Sequence, residues 1–202
     1  MNTLDVKHGL TLGVGAALAI LVIVIVYQST RETIRATSQR QLEAQLTQLL
    51  EPGSYDNLPS RDTIELTDAV LGSEKPKNIY RARINGRPTG LVISATAPDG
   101  YSGDIELLIG LSYAGSINGV RVTSHSETPG LGDDIELERS NWIRAFDQLS
   151  VANTKPIEWQ VKKDGGRFDQ FTGATITPRA VVHAVHRVAN WYQQRRDFLF
   201  TE

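Results

Sequence analysis

The chain has 202 residues, enough for one compact domain with extensions. Its 21 Lys and Arg are balanced by 23 Asp and Glu, a net charge of −2, so no basic face for nucleic acid is indicated. The absence of cysteine excludes disulfides, thiolate metal sites, iron–sulfur clusters and Cys nucleophiles, and leaves any redox role to a bound organic cofactor.

From Gly9 to Thr30 no residue is charged, and Ala16 to Val26 is apolar throughout. About 20 such residues cross a bilayer core of roughly 30 Å as a helix. Tyr27 closes the run, where an aromatic ring favours the interface. The competing reading is a cleaved signal peptide, whose apolar region is usually about 7–15 residues. With no small-x-small cleavage site before Arg31, a retained single-span anchor over residues 1–30 is expected. Gly9, Gly13 and Ala17 form a small-residue ridge, which suits either close packing of a partner helix or ordinary membrane-helix composition. Lys7 precedes the span, whereas Arg31, Arg35 and Arg40 follow it, so the positive-inside rule alone places the C-terminal part in the cytoplasm.

Ile34, Leu42, Leu46, Leu49 and Leu50 recur near helical spacing, so a helix is expected over residues 31–50, stopped by Glu51-Pro52-Gly53-Ser54. Residues 31–60 then read as helical stalk and linker, and 61–202 as a domain. From Thr63 the pattern shifts toward strands. Residues 78–84 and 90–95 flank Asn85-Gly86-Arg87-Pro88, a strong hairpin signal. A second pair, 105–111 and 117–122, is joined through Ala114-Gly115-Ser116. Residues 141–149 read as a short helix with Trp142, Ile143 and Phe146 on one face, and 157–161 as a last strand. Val181, Val185, Val188 and Tyr192 mark the buried stripe of a final helix, with Thr177 as its N-cap and Pro178 as its first residue. Runs of strands with helices set apart predict an α+β fold with antiparallel strands and flanking helices.

The segment Asp169-Gln170-Phe171-Thr172-Gly173-Ala174-Thr175 is the most informative. Gly173 and Ala174 leave little side-chain bulk, so another molecule can approach the backbone. A phosphate joined to Thr175 would lie near the positive end of the following helix. On spacing alone, an ordinary strand-to-helix turn is the commoner explanation of the run. It resembles the flavinylation motif of membrane flavoproteins: Asp, two variable residues, Ser or Thr, Gly, Ala, then the Thr or Ser that carries flavin mononucleotide (FMN) through a phosphoester.

His125-Ser126-Glu127-Thr128-Pro129-Gly130-Leu131-Gly132-Asp133 and Gly100-Tyr101-Ser102-Gly103 interrupt the strands. Gly130 and Gly132 would admit a flat ring, Leu131 could pack on its face, and Glu127 or Thr128 could bond its edges. Two surface turns are the plainer alternative. Gly100 to Asp133, together with 140–146, is similar to the FMN-binding domain of the G-subunit family of Rnf-type (Rsx) electron transport complexes. The C-subunit family of the sodium-pumping NADH:quinone reductase shares the domain. The resemblance implies covalent FMN on Thr175, with Thr172, Gly173, Ala174, Glu127, Thr128, Gly130, Leu131 and Gly132 around it. It further implies electron transfer within an ion-translocating complex of the inner membrane, the C-terminal domain in the periplasm. Partners would be membrane subunits with iron–sulfur or flavin centres and a flavin transferase for maturation. A component of the sodium-pumping quinone reductase type, or a non-redox anchored structural protein, stands as the alternative.

Other residues are expected to be structural. His183 and His186 lack a ligating companion, His125 with Ser126 and Asp133 lacks a nucleophile elbow, and Asp133, Asp134 and Glu136 read as a solvated turn. Trp142 reads as core.

Overall fold

In the computed structural model residues 3–201 are described, apart from the side chains of residues 3–11, 32, 33 and 35. Lys7, Gly9 and Arg35 thus lie outside the described side chains. The first element, α1 (Thr3–Leu49), is unbroken, so the two helical segments expected from the sequence are one. From Ala16 to Leu49 there is no Gly or Pro to interrupt its hydrogen bonds. Its most apolar window has a mean hydropathy of 2.3 with no buried residue, and among the described residues it is the one helix long and apolar enough to cross a membrane.

The chain divides into two compact units, Met1–Glu43 and Ala44–Glu202. The last turn of α1 belongs to the second. There Leu46, Leu49 and Leu50 are buried, whereas Ile34, assigned to the same stripe from sequence, is 59 % exposed.

The second unit is built on an antiparallel sheet of five strands in the order β1 (Thr63–Leu66), β2 (Lys77–Ile84), β3 (Arg87–Ala97), β4 (Ile105–Ser112) and β5 (Ile117–Ser124). Asn85 and Gly86 form the expected two-residue hairpin turn, both with positive φ (49° and 75°), and Ile84 pairs with Arg87 across it. Strand alternation sends Leu91, Ile93, Ala95, Leu107, Ile109 and Leu111 to one face. These pack with Val181, Val185, Val188 and Tyr192 of the final helix, α2 (Ile176–Leu199), all four fully buried. Each such aliphatic side chain contributes about 1.5–3 kcal/mol of transfer free energy. On the opposite face Tyr80, Val92, Gly110 and Gly119 lie in register. A Cβ at Gly110 would overlap the Leu49 carbonyl, and one at Gly119 would lie 3.1 Å from Leu49 Cδ2. The paired glycines therefore form the notch that receives the end of α1. The fold is α+β, as the strand pattern indicated.

Three elements differ from the sequence expectation. Residues 141–149 form only a 3₁₀ turn, Trp142–Phe146. Residues 157–161 are not a strand: Pro156 opens a 3₁₀ turn, Pro156–Glu158, and Val161 alone makes a bridge, to Phe168. Proline fixes φ and lacks the N–H that a ladder needs. Finally, α2 begins at Ile176, so Thr175 occupies the cap position and Thr177 lies inside the first turn.

Candidate functional site

Phe171 to Ala174 form a tight turn, closed by a hydrogen bond from Ala174 N–H to the Phe171 carbonyl (3.1 Å). Gly173 supplies its left-handed residue at φ 83°. The approach to this turn is braced on several sides. Trp142 Nε1 donates to the Asp169 carbonyl (2.8 Å), and its ring meets Phe171 edge-on at 5.2 Å. Lys162 Nζ pairs with Asp169 (2.5 Å). Trp142 is half-buried and so is both packing and brace. Arg179, one turn into α2, bonds both oxygens of Asp164 (2.7 and 3.0 Å), and this bonding holds the Asp164 carboxyl below the usual carboxylate range.

Thr175 is half-buried at the N-terminus of α2 and makes no capping hydrogen bond with its side chain. The Ile176 and Thr177 N–H groups lie in the helix's first turn, where no intrahelical acceptor exists for them. Pro178 has none to offer. The expected N-cap role of Thr177 is replaced by another: its hydroxyl is fully buried and donates to Glu127 Oε2 (2.5 Å). Glu127 Oε1 accepts from Ser102 N–H (2.9 Å). This bond ties the loop after β5 to the turn between β3 and β4.

Behind Glu127, its own N–H donates to His125 Nδ1 (3.0 Å). That assigns the proton to Nε2, which donates to Glu136 (2.8 Å). His125 is thus occupied in holding the loop. Asp133 is not solvated as expected. It is 6 % exposed, accepts from Gly130 N–H (2.6 Å) and pairs with Arg139 (3.4 Å). The Thr128 carbonyl accepts from Leu131 and Gly132, closing the loop over Gly130, which has φ 77°.

Between loop and motif lies a pocket of about 200 Å³ lined by Tyr101, Glu127, Thr128, Leu131, Gly132, Gly173, Ala174 and Thr177. Among the residues proposed from sequence, Glu127, Thr128, Leu131, Gly132, Gly173 and Ala174 line it, while Gly130, Thr172 and Thr175 do not. Thr172 is exposed at the tip of the turn. Tyr101 and Thr177 were not singled out as lining residues. An aromatic beside Gly100 was the available signal for Tyr101; Thr177 was hidden by its fit to a capping pattern. A larger hollow of about 420 Å³, lined by Gln48, Ser112, Asn118 and Gln148 among others, lies at the far end of β4 and β5, and no candidate residue reaches it.

The pocket suits part of a flat amphipathic ligand. Leu131 and Tyr101, 46 % and 70 % exposed, offer apolar and aromatic surface, and Glu127 and Thr128 offer polar groups. Its volume is below the 300–1,000 Å³ typical of pockets that enclose a whole ligand, so the remainder would lie at the surface. FMN, an apolar ring system joined to a polar chain and a phosphate, fits this division. Away from the pocket, His186 stacks on Trp159 at 4.8 Å, and His183 is exposed.

Comparison with known proteins gives the family of the chain. Residues 100–190 match the FMN-binding domain family, and residues 1–49 match the RnfG N-terminal region. The chain is 48 % identical to the G subunit of the ion-translocating oxidoreductase complex of Pseudoalteromonas atlantica, over all of this chain and 94 % of that protein. It is 46 % identical to the corresponding protein of Photorhabdus laumondii, over 93 % of this chain and 90 % of that one. For that of Vibrio cholerae the figures are 42 %, 97 % and 94 %. The crystal structure of Shewanella oneidensis NqrC superposes with a TM-score of 0.48 at 17 % identity, covering 76 % of this chain and 72 % of that one. The chain belongs to the G-subunit family of ion-translocating oxidoreductase complexes and carries its FMN-binding domain.

Proposed function

We propose that this chain is a membrane-anchored electron carrier whose FMN is joined through a phosphoester to the Thr175 hydroxyl. The observation that carries this reading is the position of Thr175. It stands at the N-terminus of a long helix, makes no capping bond, and adjoins Ala174 and Gly173 of the pocket wall. A phosphoryl group there is favoured by the helix dipole and by the first-turn N–H groups.

FMN supplies the one- and two-electron chemistry, and the protein supplies position and electrostatics. Leu131 and Tyr101 would shield the ring faces. Glu127 and Thr128 would meet its polar edge. Trp142 and Lys162 brace the approach to the motif turn at Asp169, and Arg179 ties the first turn of α2 to Asp164.

The relatives' name supports assembly into an ion-translocating oxidoreductase complex, which this reading places in the inner membrane. In this reading the partners are membrane proteins bearing iron–sulfur or flavin centres, and a flavin transferase attaches the cofactor. In the same reading residues 1–30 serve as the membrane anchor, 31–60 as stalk and linker, and 61–202 as the flavin domain in the periplasm. The deciding experiment compares wild-type, Thr175→Val and Thr172→Val proteins on a denaturing gel under ultraviolet light. A fluorescent band is expected for wild type and Thr172→Val and none for Thr175→Val. Fluorescence persisting in Thr175→Val sinks the assignment.

A further inference from the structure

We propose that Thr177 is a positioning residue of the flavin site, acting through Glu127. This rests on the reading of the pocket as the flavin site. Glu127 is 5 % exposed and has no cationic partner among the described residues. A carboxylate so buried needs its lone pairs occupied by donors. Two are supplied, from different parts of the chain: Ser102 N–H on Oε1 and Thr177 Oγ1–H on Oε2, the latter from a residue 50 positions away.

The space around this carboxylate is built for it. A Cβ on Gly132 would lie 2.9 Å from Glu127 Cβ and Oε2 and 3.2 Å from Thr177 Oγ1. A Cβ on Gly100 would lie 3.0 Å from Glu127 Oε1 and overlap the Gly103 carbonyl. Two glycines thus form the cradle, and two donors orient what lies in it. Leu131 projects from the same loop to within 3.5 Å of the Cβ position of Gly173. The Thr177–Glu127 bond consequently sets the distance between the loop wall and the motif turn, and it aims an anionic group along the pocket. Thr177 itself serves no cap, so the bond to Glu127 is the role its buried hydroxyl has.

The test uses full-length protein in detergent, comparing wild type, Thr177→Val, Thr177→Ser and Glu127→Gln. The readouts are the visible spectrum and midpoint potential of the attached flavin. Expected are a displaced spectrum and potential in Thr177→Val, wild-type values in Thr177→Ser, and a higher potential in Glu127→Gln, where the anionic charge is removed. A Thr177→Val protein indistinguishable from wild type overturns the proposal. Should Thr177→Val fail to fold, unchanged values in Glu127→Gln, or values in Thr177→Ser as displaced as those of Glu127→Gln, overturn it equally. If wild type carries no covalent flavin, the covalent reading fails. The positioning role is then read from the affinity for added FMN, expected about tenfold weaker or more in Thr177→Val and within about threefold of wild type in Thr177→Ser. Equal affinities in these two variants overturn it.

Discussion

The backbone of Leu49 lies directly on Gly110, with no room for even a methyl group between them. Gly119, paired with Gly110 across β4 and β5, extends the same notch beneath the Leu49 side chain. The end of the long helix is therefore seated on the sheet at a fixed place, through contact with main chain rather than with flexible side chains. Gly110→Ala should destabilise the domain by about 1–3 kcal/mol, because the neighbour that must move is a peptide carbonyl. Thermal unfolding of the detergent-solubilised protein measures this. An unfolding midpoint equal to that of wild type refutes the seat.

Gly173 is expected to be required for its conformation rather than for its small size. Its φ of 83° is unfavourable for residues with a Cβ, at a cost of roughly 1–2 kcal/mol. Yet a Cβ there would meet only Leu131 Cδ2, at an ordinary 3.5 Å. Gly173→Val should lower flavin occupancy sharply. The informative comparison is Gly173→Asn with Gly173→Ala. Asn is the larger but tolerates the left-handed region better, so it should retain more flavin. More flavin on the Ala variant would show that bulk decides.

That distinction shows where sequence reasoning reached and where it stopped. Local signals were legible: the Asn85-Gly86 turn, the apolar run of α1 and the Val181–Val185–Val188 stripe each follow from residues near in sequence. Thr177 was misread because a Thr followed by Pro satisfies a capping pattern. Its actual partner is 50 residues away, and local propensity carries no information about that. Asp133 was misread for the same reason: an acidic run suggests solvent unless the backbone N–H that folds back onto it is known. The pocket combined both kinds of information. Its loop and its motif are visible separately, but the contacts that join them, Thr177 with Glu127 and Leu131 with Gly173, link residues far apart in sequence.

His186 should give the domain a pH-dependent stability. Burial lowers its pKa below the usual 6.5, and the neighbouring His183 pushes in the same direction. Between that lowered value and 6.5 the unfolded chain binds more protons than the folded one, so stability rises with pH in that window. The contribution is complete above 6.5 and is lost as pH falls toward the folded-state pKa. His186→Phe keeps a flat ring against Trp159 and removes the titration. Its unfolding midpoint should therefore change less between pH 7.5 and pH 5 than that of wild type. Equal pH dependence in the two proteins would assign the effect to other groups.

The orientation of the anchor sets two physical expectations against each other. Arg31 and Arg40 follow the apolar run closely and are exposed, and such cations favour the cytoplasmic side. The proposed function instead places everything beyond the span in the periplasm, where the flavin would face its redox partners. The charge rule is statistical, and large domains translocate largely regardless of it. Packing of the span against partner helices, through the Gly13–Ala17 side of α1, offers a further means of fixing the orientation. A reporter that is active only after export, fused behind Glu202, should accordingly be active in intact cells that express the whole complex. A reporter that works only in the cytoplasm should be silent at the same position. The reverse pattern would place the flavin domain in the cytoplasm and remove the periplasmic part of the proposed function. It would leave the attachment of FMN at Thr175 to be judged by the denaturing gel alone.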